Sequence, residues 1–200
     1  MVKIKESIKQ IQKSINNALQ RLINPLLPKA AKKIEPKIRN LVRSSLLSSP
    51  EIQSLKGGTL KFEFGLDNDP TNQIVEAIVS SLEVRVKKVD KNLNGGFYVY
   101  MQPNSYSNLL TLSAAQQQIE SGGSLPWLSW LLTLGDAIIV ADFGVSFKSG
   151  TGRSGGATMS EDLRPYKVNS AYSGTVNNNF VTRAIDRVSP QIRTIIKGAF

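Results

Sequence analysis

Ile4, Ile8, Ile11, Ile15, Ala18 and Leu22 recur at alternating intervals of four and three residues. That spacing places them on one stripe of a helix over about residues 3–23, with Lys3, Lys5, Lys9, Lys13 and Arg21 mostly off it. About three heptads is the lower limit for a coiled-coil seam. Asn24-Pro25 ends the helix, because the residue before a proline is pushed out of helical geometry. A second helical stretch over 28–47 carries Ile34, Ile38, Leu41 and Val42 on its stripe, and Pro36 inside it predicts a kink or break. Ser49-Pro50-Glu51 combines a cap, a first-turn proline and an early acid, and opens a short helix that stops at Gly57-Gly58.

Beyond Gly58 the pattern changes. Residues 59–64 alternate in the manner of a strand. Asp69-Pro70 starts a helix whose apolar face is Ile74, Ala77, Ile78 and Leu82. Residues 84–89 and 97–101 alternate with period two, and Asn92-Leu93-Asn94-Gly95-Gly96 between them predicts a β-hairpin. Residues 103–124 are polar and ambiguous, with a short helix near 113–120. Residues 126–134 read as a buried helix ending at Gly135. Residues 136–147 read as one or two strands with Ile138, Ile139 and Val140 in the core. A glycine-rich loop over 148–156 leads to a return strand at 157–159. Residues 177–197 form the last helix, with Phe180, Ala184, Ile185, Val188, Ile192, Ile195 and Ile196 on one face and Ser189-Pro190 as a kink. No internal repeat is present. The expected fold is α+β, with an N-terminal amphipathic helical arm, a central and mostly antiparallel β-sheet, and a C-terminal helix packing on the sheet. The expected division is a basic helical arm at 1–56 and a core domain at 57–200.

Charge sharpens this division. The net charge is +10 over 200 residues. Residues 1–56 hold twelve Lys or Arg against Glu6, Glu35 and Glu51, a net of +9. Residues 57–176 hold nine basic and eleven acidic groups, a net of −2, and residues 177–200 add +3. Positive ends and a slightly acidic middle suit attraction within or between subunits, and they equally suit an external polyanion.

The residue inventory narrows the chemistry. There is no cysteine, which removes disulfides and thiolate metal sites, and no histidine, the commonest general base and metal ligand. No apolar run reaches the roughly 18 residues of a bilayer span. Met1-Val2-Lys3-Ile4-Lys5 lacks the apolar block of a signal peptide, so the chain reads as a soluble cytoplasmic product. Gly150-Thr151-Gly152-Arg153-Ser154-Gly155 has the spacing of a dinucleotide-binding fingerprint. The residues after it show no helical face and include Pro165, so a hairpin loop is the better reading. Glu63, Asp67 and Asp69 are oxygen donors in sequence proximity, but they lack the calcium-loop pattern. A strand end followed by a cap at Asp69 explains them. No cofactor and no enzymatic activity are expected.

Two apolar features remain. Trp127 and Trp130 share one helix face, which suits core packing or an anchor in a subunit interface. The stripe of Ile4, Ile8, Ile11, Ile15 and Leu22 suits an assembly helix docked on a neighbour. The basic groups Lys9, Lys13, Arg21, Lys32, Lys33 and Arg153 suit an acidic partner or DNA. Residues 1–56 contain no aromatic residue, which argues against single-strand recognition and against membrane adsorption.

Four stretches then point to a family. They are Ser49-Pro50-Glu51-Ile52-Gln53-Ser54-Leu55, Leu125-Pro126-Trp127-Leu128-Ser129-Trp130-Leu131-Leu132, Arg153-Ser154-Gly155-Gly156-Ala157-Thr158-Met159 and Ser173-Gly174-Thr175-Val176-Asn177-Asn178-Asn179-Phe180-Val181-Thr182-Arg183-Ala184. In that order they resemble virion structural proteins of tailed bacteriophages, of the neck and tail-completion region where head meets tail. The resemblance spans most of residues 30–196. It implies a closed ring of identical subunits with heterologous contacts, localisation in the virion, and neighbouring head, connector or tail proteins as partners. It also implies that the loop around Arg153 reaches a neighbour or DNA in the ring lumen. The alternative is a nucleic-acid-binding protein that uses its basic arm for phosphate contacts.

Overall fold

Ser7 and Gln10 open the first helix reciprocally. Ser7 Oγ accepts from the Gln10 N–H at 3.3 Å, and the Gln10 side chain accepts from the Ser7 N–H at 2.8 Å. This helix, α1, spans Ile8–Ile23. The structure, a computed structural model, describes residues 7–101, 105–119, 122–161 and 164–199. Ile4 and the start of the expected first helix lie outside the described residues.

The second helix, α2 (Leu27–Leu47), organises the interior. Ile34, Ile38, Val42 and Leu46 are all but completely buried. Two short helices follow, α3 (Pro50–Gly57) and α4 (Thr59–Glu63), then α5 (Thr71–Ser80). The last helix, α8 (Phe180–Lys197), lies along one side of α2, while α5 and the strand β1 (Leu82–Lys87) pack on it elsewhere. Buried Ser45 on α2 donates to the Ala184 carbonyl of α8 at 2.8 Å. Arg183 of α8 reaches Glu51 of α3 at 2.7 Å, and Glu51 is only 3% exposed.

The expected boundary near Lys56 therefore falls in the wrong place. α2 and α3 belong to the same core as the C-terminal helix, and α1 alone stands outside it. The expected break at Pro36 does not occur, since α2 is one helix throughout. Pro36 and Lys32 are both exposed, so the carbonyl that proline leaves unbonded is on the solvent side of the helix. α8 runs through exposed Pro190 in the same way.

The α+β class holds, but the sheet is not central. The described strands form three separate antiparallel pairs. β1 pairs with β2 (Gly96–Met101), β3 (Gln117–Gln118) with β4 (Ser124–Leu125), and β5 (Gly144–Phe147) with β6 (Ala157–Ser160). α8 thus packs on α2 rather than on a sheet. The physical reason is where the apolar surface lies. β1 buries Leu82 and Val84 and exposes Glu83 and Arg85, so a strand pair has one dry face, whereas α2 offers a long stripe.

Two further expectations are corrected. Residues 59–64 fold as helix α4 instead of a strand. Leu60, Phe62 and Phe64 satisfy period two, yet Leu60 and Phe64 are also four apart and both are buried. The Ser54 hydroxyl accepts from the Leu60 N–H at 3.0 Å and settles the choice. Residues 138–140 are not a buried strand. Ile138 is 58% exposed, and only a single bridge joins Val140 to Tyr166.

Between the hairpins lie α6 (Ser107–Leu110), a 3-10 turn at Ser113–Ala115, and α7 (Leu128–Leu132). The helix expected near 113–120 reduces to that turn. Trp127 and Trp130 belong to the core, not to an interface. Trp127 is fully buried against Phe64, with ring centroids 5.5 Å apart, and Trp130 is 9% exposed. Leu128, Leu131 and Leu132 are fully buried around them, which leaves no surface for a neighbour to reach.

Candidate assembly surface

The side chains that fix α1 to the rest of the chain are polar. Asn16, Gln20 and Asn24 follow one another at intervals of four, so they share one flank of the helix. Each meets backbone at the far end of the β1–β2 hairpin. Asn16 donates to the Lys91 carbonyl at 3.2 Å, and Gln20 donates to the Val89 carbonyl at 3.0 Å. Asn24 donates to the Val89 carbonyl at 3.1 Å and accepts from the Val89 N–H at 2.8 Å. The hairpin end is itself set by Asp90, whose carboxylate accepts from the Asn92 and Asn94 N–H groups and is held below its usual pKa by those bonds.

With its polar flank docked, α1 leaves its apolar stripe uncovered. None of its residues is buried. Ile8 is 83% exposed, Ile15 53% and Leu22 66%, and Ile11 is half-buried. Leu19 and Leu26 extend the same stripe and are also exposed. At the base of the helix the stripe runs into a small, almost wholly apolar hollow of about 300 Å³ lined by Leu26, Ala30 and Ala199, with Lys29 and Lys33 at its rim. Of the stripe residues named from the sequence, the structure brings Ile8, Ile11, Ile15 and Leu22 onto one face; reasoning from the seam missed Leu19 and Leu26.

The basic residues separate into two groups. Lys9, Lys13, Arg21, Lys32 and Lys33 are exposed, and Lys29 and Lys37 join Lys32 and Lys33 on the solvent side of α2. Arg153 is committed elsewhere. Its guanidinium donates to the Gly65 carbonyl at 3.2 Å and the Gln118 carbonyl at 2.6 Å, and stands 3.6 Å from Asp67. Gly65, at φ +63°, lies so close that a side chain there would press on Arg153. Arg153 therefore clasps the β5–β6 loop to the end of α4 while its side chain stays about one-third open to solvent. The loop itself is the turn of a hairpin, closed by Lys148 N–H on the Gly156 carbonyl at 3.0 Å.

One other place has unusual chemistry. An open cleft of about 820 Å³ lies between α4 and the β5–β6 pair, lined by Phe62, Glu63, Ile119, Phe143 and Met159. Glu63 Oε2 and the Tyr166 hydroxyl are both buried without a hydrogen-bond partner among the described residues. Burial pushes the Glu63 carboxyl up to about 7. Burial and then the neighbouring Glu63 charge raise Tyr166. The other acids once grouped with Glu63 have structural duties: Asp69 accepts from the Thr71 N–H at 2.9 Å and starts α5, while Asp67 meets Arg153. No group of three or more Asp or Glu placed to hold a metal ion occurs among the described residues. What remains in this place is one buried carboxyl beside one buried phenol.

No helix among the described residues is long and apolar enough to cross a membrane. Comparison with known proteins finds no family model, no curated protein and no solved structure that matches this chain.

Proposed function

We propose that this chain is a non-enzymatic structural subunit of a tailed-phage particle, in the neck or tail-completion region, and that it works by assembly into a ring at the head–tail junction. The observation that carries the assembly role is the orientation of α1. A helix held by Asn16, Gln20 and Asn24 exposes a continuous face of Ile and Leu, and water is a poor neighbour for it. Such a face is covered in the working state by another polypeptide. The four sequence stretches given above support the phage setting, and the positive ends and slightly acidic middle support contacts between unlike faces of neighbouring subunits. Immunogold labelling of phage particles with antibody to the chain tests the setting. Label at the head–tail junction is expected; label absent from particles contradicts it.

A second reading rests on the exposed Lys29, Lys32, Lys33 and Lys37 within about two turns of α2. In this reading they neutralise phosphates of duplex DNA. It predicts binding that weakens steeply with salt and drops when Lys32 and Lys33 are both changed to Glu. Binding indifferent to salt contradicts it.

A further inference from the structure

The seam on α1 carries information about its own partner. Written as heptads, Ile8, Ile15 and Leu22 occupy the a positions, and Ile11 and Ala18 the d positions. The flanking g positions are Ser7, Ser14 and Arg21, and the e positions are Gln12 and Leu19. Lys9 and Lys13 fall at b and f, away from the seam. The flanks that choose a partner by charge thus hold no acid and a single base. A partner of opposite charge would find almost nothing here to pair with, while a second copy of the same helix would find almost nothing to repel it.

The width of the stripe adds a number. Leu19 at e broadens the apolar face beyond the two-position seam of a helix pair, and it is 37% exposed. In the first heptad isoleucine holds both a and d (Ile8 and Ile11), a combination that disfavours pairs relative to bundles of three or more, while Ala18 takes the second d position. The docking residues Asn16, Gln20 and Asn24 occupy b, f and c, so the body of the subunit sits behind the seam and leaves it clear. The 16 residues of α1 make a rod of about 24 Å, long enough for two heptads of contact.

We infer that the uncovered face of α1 packs against the α1 helices of further copies of this chain, side by side and parallel, in a bundle of three or more. Parallel packing follows from cyclic symmetry, which places every subunit body at the same end. The inference rests on the assembly reading above and names the partner that covers the face.

Cysteine scanning tests it in the full chain, which has no cysteine of its own. Leu22→Cys, at a, is expected to form disulfide-linked dimers under mild oxidation, because parallel packing brings it beside its counterpart. Lys13→Cys, at f, is expected to remain uncrosslinked. Native mass spectrometry of the unmodified chain is expected to show three or more subunits, and Ile15→Asp to return it to monomer with unchanged far-UV circular dichroism. A strict dimer, a monomer at high concentration, or equal crosslinking at Lys13→Cys and Leu22→Cys overturns the bundle. The assembly role itself falls separately: it is lost if Ile15→Asp enters phage particles as well as the unmodified chain does.

Discussion

Asn24 and Val89 are bonded in both directions, side-chain amide to backbone carbonyl at 3.1 Å and backbone N–H to side-chain oxygen at 2.8 Å. An asparagine side chain thus imitates a neighbouring strand for one residue at the hairpin end. The bond sits at the hinge between α1 and α2, so it sets the direction in which α1 leaves the core. Replacing Asn24 with Ala leaves both backbone groups of Val89 with fewer partners, and Val89 is 7% exposed. The expected cost is about 1–2 kcal/mol. Hydrogen exchange should show faster exchange across α1 in Asn24→Ala, with α2 amides little changed.

Glu63 makes stability depend on pH in an unusual sense. Its carboxyl titrates at about 7 in the folded chain against an ordinary value of 4.5 when exposed. Between those values the folded state holds a proton that the unfolded state has released. Stability therefore falls as pH rises from about 4.5 to 7, and the penalty is complete above 7. Glu63→Gln removes it. The variant should be more stable than the parent at pH 8 by about 1–2 kcal/mol, allowing for solvent around the partly exposed carboxyl. Near pH 4.5 the two should match. Denaturant unfolding at both pH values checks this.

Glu51 is a buried carboxylate answered by Arg183. Arg183→Met would keep much of the side-chain bulk and remove the charge, leaving the buried Glu51 carboxylate without the guanidinium that answers it. A loss of about 2–3 kcal/mol is expected, since removing one partner of a buried pair strands the other. Thermal unfolding measures it, and Glu51→Gln in the same background should recover part of the loss.

Trp127 separates core from interface. Trp127→Ala opens a hole beside Phe64, and a loss of about 3–5 kcal/mol is expected, with early thermal unfolding. An interface tryptophan would instead leave the folded subunit stable and weaken association.

Much of the fold was legible because local chemistry and tertiary packing agreed. Ser49-Pro50-Glu51 opens α3, Asp69 starts α5, and Asn92 to Gly96 turns the β1–β2 hairpin. It failed where one pattern fits two periods. Leu60, Phe62 and Phe64 are compatible with strand and helix, and the deciding bond comes from Ser54, outside the window. Ile138 to Val140 look like core by composition, but hydrophobicity alone does not force burial in a chain whose core is already filled by helices. The two tryptophans went the other way: their shared helix face suits core or interface, and packing against Phe64 puts Trp127 in the core. The α1 stripe could be read from spacing, since a helix has only one way to align residues four and three apart. Its freedom from the body could not, because that depends on Asn16, Gln20 and Asn24 finding a hairpin some 65 to 75 residues away. Arg153 shows the converse: its glycine loop is legible as a hairpin turn, but its bonds to the distant Gly65 and Gln118 carbonyls are not.

Sedimentation velocity of the full chain beside Ile15→Asp tests most directly whether the exposed isoleucines are a contact surface. The parent should sediment as an oligomer at micromolar concentration, and the variant as a folded monomer. Identical sedimentation of both, as monomers or as the same oligomer, would contradict a role for this face in self-assembly.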